Sequence, residues 1–302
     1  MRALVTGATG FVGRRLLAKL ESPVVLSRNA AKARKSLAEH HVTAYTWDAE
    51  NRPPPAEAFD GIDTVFHLAG ESVADGRWTA AKKVRLRESR VQGTRNLVAT
   101  LRAIGGGPKT LVSASAIGYY GSRGDEPLAE ASTPGNDFLA EICVEWEREA
   151  QAASEFGMRV VPVRVGIVLG EKGGAMAKML PPFYAGLGSP LGSGEQYMAW
   201  IHIDDLVDMM LFAARTDALR TPLNGVGPAP VTNREFTKTL GRVLKRPTFM
   251  PSVPGAALRL LVGQFGDVLL TSQRVFPKRS LEAGFRFQYA TLEAALKNVL
   301  GK

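Results

Sequence analysis

Three evenly spaced glycines, Gly7, Gly10 and Gly13, stand in VTGATGFVGRRLL (residues 5–17). RALVT before them reads as a short strand, and FVGRRLL after them opens a helix. In that setting the first glycines permit a tight turn and close backbone approach to a phosphate. The last lets helix and strand pack closely. The helix N-terminus then presents free N–H groups and its positive dipole end to a dinucleotide pyrophosphate. The second strand ends in Ser27-Arg28, where an NAD site usually carries an acid for the ribose hydroxyls. Arginine instead suits a 2′-phosphate in charge and fork geometry, so NADP(H) is the expected cofactor.

Few other residues form a constellation. The four histidines, His40, His41, His67 and His202, show no zinc-like spacing, and no metal is expected. Ser115, His202 and Asp204 or Asp205 occur in the wrong chain order for an α/β hydrolase, and no G-x-S-x-G elbow is present. The net charge is +9, and its densest cluster is Lys82, Lys83, Arg85, Arg87 and Arg90. These alternate with apolar positions among helix formers and read as a solvated helix face, so no nucleic-acid partner is expected. The best apolar run, MRVVPVRVGIVLG, is interrupted by Arg164, so no membrane partner is expected. The short apolar stretch after Arg2 does not make a signal peptide, and the single Cys143 fits a reducing, cytoplasmic location.

The elements that must position these residues follow from periodicity. Apolar runs at 2–6, 23–27, 42–47, 63–69, 109–115 and 159–170 read as buried strands. Helical patterns follow residue 10 and cover 78–104 and 137–156. Such alternation predicts an α/β fold, a doubly wound, Rossmann-type parallel sheet covered on both faces. After Gly170 strands shorten and Gly and Pro become frequent, with helical patterns at 204–214, 233–245, 254–262 and 291–300. The expected division is a dinucleotide-binding domain over 1–170, to which 198–214 can return. A smaller α/β lobe then covers 171–302 and includes a C-terminal module over about 250–302.

The motifs TGATGFVG, HLAG (67–70), SASAIGYYG (113–121), VRVGIVLG (163–170) and WIHIDDL (200–206) together resemble the extended short-chain dehydrogenase/reductase superfamily. SRVQGTRNL (89–97), NDFLAEICVEWE (136–147) and the tail from Phe276 to Leu296 resemble one subgroup, the atypical epimerase family proteins, some labelled cell-division inhibitors. The resemblance implies that Gly7, Thr9, Gly10, Phe11 and Val12 line the pyrophosphate and that Ser27 and Arg28 hold the adenosine phosphate. It places Leu68, Ala69, Gly70 and Glu71 along the cofactor, Arg85 or Arg90 at a phosphate, and Ser113 and Arg164 beside the site. Ser115 takes the position of the catalytic Ser/Thr. The superfamily pairs the helices at 78–104 and 137–156 across a dimer, but the charge on 82–90 speaks against it. Monomer and homodimer both stay open.

The same resemblance exposes a gap. The superfamily uses Tyr-x-x-x-Lys on the helix after the serine strand, where Lys lowers the Tyr pKa. Here one register reads Phe138 and Ile142, the other Leu139 and Cys143. Tyr119 and Tyr120 are the substitute hydroxyls closest in sequence to Ser115. Two functions compete. One is an NADP(H)-dependent epimerase or reductase acting on an unidentified small molecule without the usual pair. The other is a non-catalytic NADPH-binding sensor or scaffold.

Overall fold

The computed structural model describes residues 1–171 and 173–302. In chain order its strands begin with β1 (Ala3–Thr6), β2 (Val24–Ser27), β3 (Thr43–Thr46), β4 (Thr64–His67), β5 (Thr110–Ala116), β6 (Pro127–Leu128) and β7 (Arg159–Val165). They continue with β8 (Ile167–Leu169), β9 (Tyr197–Met198), β10 (Trp200–His202), β11 (Leu223–Gly225), β12 (Val231–Thr232) and β13 (Arg274–Val275). Seven of them form one sheet in the order β11-β7-β5-β4-β1-β2-β3, with every pairing parallel. The order reverses at β1, which pairs with β2 on one side and β4 on the other. That reversal opens the crevice where doubly wound sheets bind ligands.

Helices cover both faces. They are α1 (Phe11–Leu17), α2 (Ala30–Ser36), α3 (Ala80–Glu88), α4 (Val91–Ile104), α5 (Phe138–Gln151), α6 (Met176–Tyr184) and α7 (Ile203–Arg215). After them come α8 (Asn233–Leu244), α9 (Gly255–Val262), α10 (Phe265–Val268), α11 (Lys278–Glu282) and α12 (Leu292–Val299). Leu206, Val207, Met209 and Met210 of α7 share a core with Val5, Phe66, Val112 and Val161 on one face of the sheet. Leu97, Val98 and Leu101 of α4 pack with Leu4, Val65 and Leu111 on the other. Burial on both faces is why these strands read as continuous apolar runs. A second core gathers Trp200, Phe236, Leu240 and Leu296 beneath α6, α8 and α12. Local signals set several helix starts. Asp137 accepts from Leu139 and Ala140 at the start of α5, and Thr232 with Glu235 closes a capping box on α8.

Three sequence expectations shift. The pattern at 78–104 is two helices, because the Ser89 hydroxyl turns back to the Leu86 carbonyl and accepts the Glu71 N–H. The run at 159–170 is two strands. A Cβ at Gly166 would lie 2.5 Å from the Ala199 carbonyl oxygen, and β8 leaves the sheet there to pair with β10. The sheet also does not end at residue 170, since α7 covers it and β11 joins its edge beside β7. Among the described residues no helix is long and apolar enough to cross a membrane.

Candidate active site

The glycine loop sits at the crevice between β1 and β4. Gly7 has φ +67°, and a Cβ there would lie 2.7 Å from the Leu68 carbonyl carbon, so only glycine allows this close approach. Thr6 fixes the opposite wall. Its hydroxyl accepts the N–H groups of Leu68 and Ala69, each at 3.1 Å, and donates to His67 Nδ1 at 2.8 Å. His67 Nε2 then donates to Thr94 at 2.9 Å. Full burial pushes the His67 pKa down to about 4, which keeps the ring neutral in this chain of bonds. No side chain caps α1, whose N-cap is Gly10, and Thr9 and Gly10 are exposed. Phe11 is held by packing against Gly170, Gly173 and Gly174, a notch that a Cβ at any of the three would fill. Side-chainless, uncapped and open, this helix end fits a pyrophosphate.

The charged rim has an internal order that the sequence did not disclose. Arg28 is exposed beyond the tip of β2, and Ser27 accepts the Asn29 N–H. Glu71 follows the 68–70 backbone and is bonded to Lys82 at 2.7 Å. That bond, against the opposing effect of burial, leaves the Glu71 carboxyl below its ordinary range, with Arg85 and Arg28 adding to the pull. Lys82 is therefore not on a solvated face; its side chain is 6% exposed. Arg90 is also corrected. It is half-buried, donates to the carbonyls of Leu86 and Glu71, and stacks on Trp146. Its guanidinium is engaged by these two carbonyls, whereas Arg85 is exposed.

At the carboxyl end of β5 a second network is closed on itself. Ser115 donates to Glu147 at 2.7 Å. Arg164 grips the same carboxylate through Nε and Nη2, both at 2.8 Å. Its Nη1 donates to the Tyr120 hydroxyl at 3.0 Å, which donates onward to Asn224 at 2.7 Å. Tyr119 lays its ring over the Arg164 guanidinium at 3.4 Å. Burial alone would pull the Arg164 pKa down, but the bonds and charge of Glu147 outweigh it and leave it raised. Arg164 and Tyr120, expected at the cofactor and at catalysis, are instead buried structural partners. Burial raises the Tyr120 pKa as well, despite Arg164. Ser113 lies within the sheet at 1% exposure and does not reach the site surface.

The two open registers of α5 are now distinct. Leu139 and Cys143 face the turn after β5, where a Cβ at Gly118 would meet Leu139 Cβ at 3.3 Å and Cys143 Sγ at 3.8 Å. Phe138 points elsewhere, edge-on to Trp78 at 5.7 Å, and Ile142 is buried. Burial pushes the Cys143 thiol up to about 12, so it is no nucleophile. The C-terminal module supplies residues that sequence reasoning missed. Gln273 donates to the carbonyls of Ile117 and Gly121, at 2.8 and 3.0 Å. Arg279 of the module donates its backbone N–H to Glu130, which also accepts from the Asn224 N–H.

Comparison with known proteins places this architecture. The sequence model of the NAD dependent epimerase/dehydratase family matches residues 3–224, and that of a domain of unknown function, DUF1731, matches 253–299. An epimerase family protein of Mycobacterium bovis is 39% identical over 97% of this chain and 95% of its own length. The chloroplastic epimerase family protein SDR39U1 homolog of Arabidopsis thaliana is 38% identical over 99% and 87%. The crystal structure of human epimerase family protein SDR39U1, determined with NADPH, superimposes with a TM-score of 0.88 at 33% identity and covers 100% of both chains. A glycine cradle at the β1–β4 crevice, a matching family model over most of the chain and full-length relatives agree: the chain belongs to the NAD-dependent epimerase/dehydratase family, within its epimerase family proteins.

Proposed function

We propose that this chain is an NADP(H)-binding member of its family whose site does not use the superfamily's tyrosine–lysine proton transfer. The pyrophosphate would lie on the N–H groups of Phe11 and Val12, beside Gly7 and Gly10. Arg28 and Arg85 would meet the 2′-phosphate, and Leu68 to Gly70 would flank the ribose. When bound, the reduced cofactor supplies a hydride. Among the described residues, neither register of α5 offers a proton donor beside it. Leu139 and Cys143 stand where the phenol and ammonium would be, and Tyr120 is spent on Asn224 and Arg164. The observation that carries the reading is the Ser115–Glu147 bond at 2.7 Å, whose acceptor carboxylate is itself neutralised by Arg164. A positioned general acid contributes about 10²–10⁴ in rate, so keto-sugar, ketone and aldehyde reduction is expected to be slow or absent. Fluorescence titration with NADPH and NADH tests binding, and loss of reduced-nicotinamide absorbance over that substrate panel tests turnover. Tight NADPH binding without turnover supports the reading, and fast turnover overturns its second half.

A second reading, an epimerase or reductase of a small molecule by another route, is favoured by the same serine. A hydroxyl bonded to a carboxylate at the carboxyl end of β5 is a hydrogen-bonding pair at the right end of the sheet. Turnover that Ser115→Ala abolishes while NADPH affinity is unchanged would select it.

A further inference from the structure

The segment from Ser72 to Thr79 crosses from the cofactor side of the sheet to the second lobe. It leaves Glu71, turns at Gly76 with φ +74°, and ends where the Thr79 side chain caps α3. Three contacts hold its far side. Lys178 of α6 bonds Asp75 at 2.7 Å and also the Ala74 carbonyl. Arg77 donates to the Leu260 carbonyl of α9 at 2.8 Å. Trp78 lies between the rings of Phe138 and Phe265, at 5.7 and 6.1 Å, bridging the start of α5 and α10. The polar contacts are exposed: the side chains of Lys178 and Asp75 are 54% and 66% accessible. By contrast, the module's grip on the turn after β5, Gln273 on Ile117 and Gly121, is buried.

Exposed ion pairs are weak and exchange readily, whereas buried hydrogen bonds are costly to leave unmade. The two sides therefore differ in what it takes to part them. From this asymmetry we infer that residues 72–79 form a latch, which closes the cleft over the cofactor by fastening to α6 and α9 and opens there while the Gln273 side stays fixed as the pivot. Gly76 supplies the turn on which the latch swings, since no atom lies within 4 Å of where its Cβ would be and only its backbone conformation requires glycine. Trp78 is the apolar bolt, seated between the two lobes. The inference that cofactor passes beneath this latch rests on the proposed NADP(H) site.

The test uses the full chain and the double variant Arg77→Ala/Lys178→Ala, with Arg77→Ala alone as the milder variant. Stopped-flow fluorescence reads NADPH association and release. A latch predicts that both rates rise, by about fivefold, while Kd changes less than twofold. Release rising alone with Kd would mean that the segment is a cofactor contact, and unchanged rates would mean that it does not gate; either result overturns the latch. Hydrogen exchange of the 72–79 amides is read in the same proteins without ligand. Faster exchange there, with Ile117–Gly121 unaltered, supports the latch, and unaltered exchange in 72–79 overturns it. If the parent protein binds no NADPH, the cofactor reading fails while the exchange measurement still decides the latch.

Discussion

Glu147 lies between Ser115 and Arg164, accepting from the serine hydroxyl at 2.7 Å and from two guanidinium nitrogens at 2.8 Å. The side chains of Arg164 and Glu147 are 4% and 12% exposed. Removing one partner of such a buried pair leaves the other charge uncompensated. Glu147→Gln is expected to cost about 3 kcal/mol of stability in urea unfolding. Ser115→Ala, which removes a single hydrogen bond, should cost about 1 kcal/mol. Near-equal losses in the two variants would contradict this assignment of the network.

In the proposed site, cofactor preference is expected to depend on the exposed rim. Arg28→Ala is expected to lower the affinity for NADPH by about tenfold and to leave NADH nearly unchanged, because a charge-assisted contact to the 2′-phosphate is lost. Arg85→Ala should shift the ratio in the same direction. Arg90→Ala should act differently, weakening both cofactors alike and lowering Tm, since Arg90 holds the 69–71 backbone. Calorimetric titration with both cofactors separates these patterns.

The register of α5 makes a paired prediction. In Phe138→Tyr/Ile142→Lys the new phenol meets Trp78 and the new amine enters the core, so no turnover should appear and stability should fall. In Leu139→Tyr/Cys143→Lys both groups lie on the flank of α5 that meets the turn after β5 at Gly118, and the buried amine at 143 should lower stability as well. Any gain of NADPH oxidation on a keto-sugar panel is expected only in this second variant. A gain in the first would mean that the facing residues have been misassigned.

His67 links stability to pH. Its pKa is about 4 in the folded chain against an ordinary 6.5. Between these values the unfolded chain binds the proton and the folded chain does not, so stability rises with pH. The contribution is fully present above pH 6.5, is lost as pH falls toward 4, and amounts to about 3 kcal/mol. His202, also lowered by burial, adds in the same direction. Unfolding free energies measured across this interval should show the slope, and His67→Gln should flatten it.

Much of the scaffold was legible because it is local. Glycine spacing, strand runs and the Ser27-Arg28 tip are short-range patterns, and the sheet follows from them. The partners of polar residues were not legible. Arg164 in a strand and Lys82 in a helix look alike as charges in sequence. Their burial is decided by Glu147 and Glu71, which other elements deliver. The break at Ser89 is similar, because it depends on the Glu71 N–H rather than on helix propensity. Periodicity placed a helix at 137–156 but not the angle at which its flank meets β5.

The pivot at Gln273 also has a consequence for synthesis. The close approach of Gly7 to the Leu68–Ala69 backbone needs only the chain just past β4, made early in translation. The turn after β5 must wait for Asn224, which receives the Tyr120 hydroxyl, and then for Gln273, which clamps Ile117 and Gly121. A nascent chain, or one cut short before the last module, thus has the glycine loop before it has the clamp on the turn after β5. Premature termination before Gln273 would leave β5's terminal turn unclamped and the carbonyls of Ile117 and Gly121 without this partner.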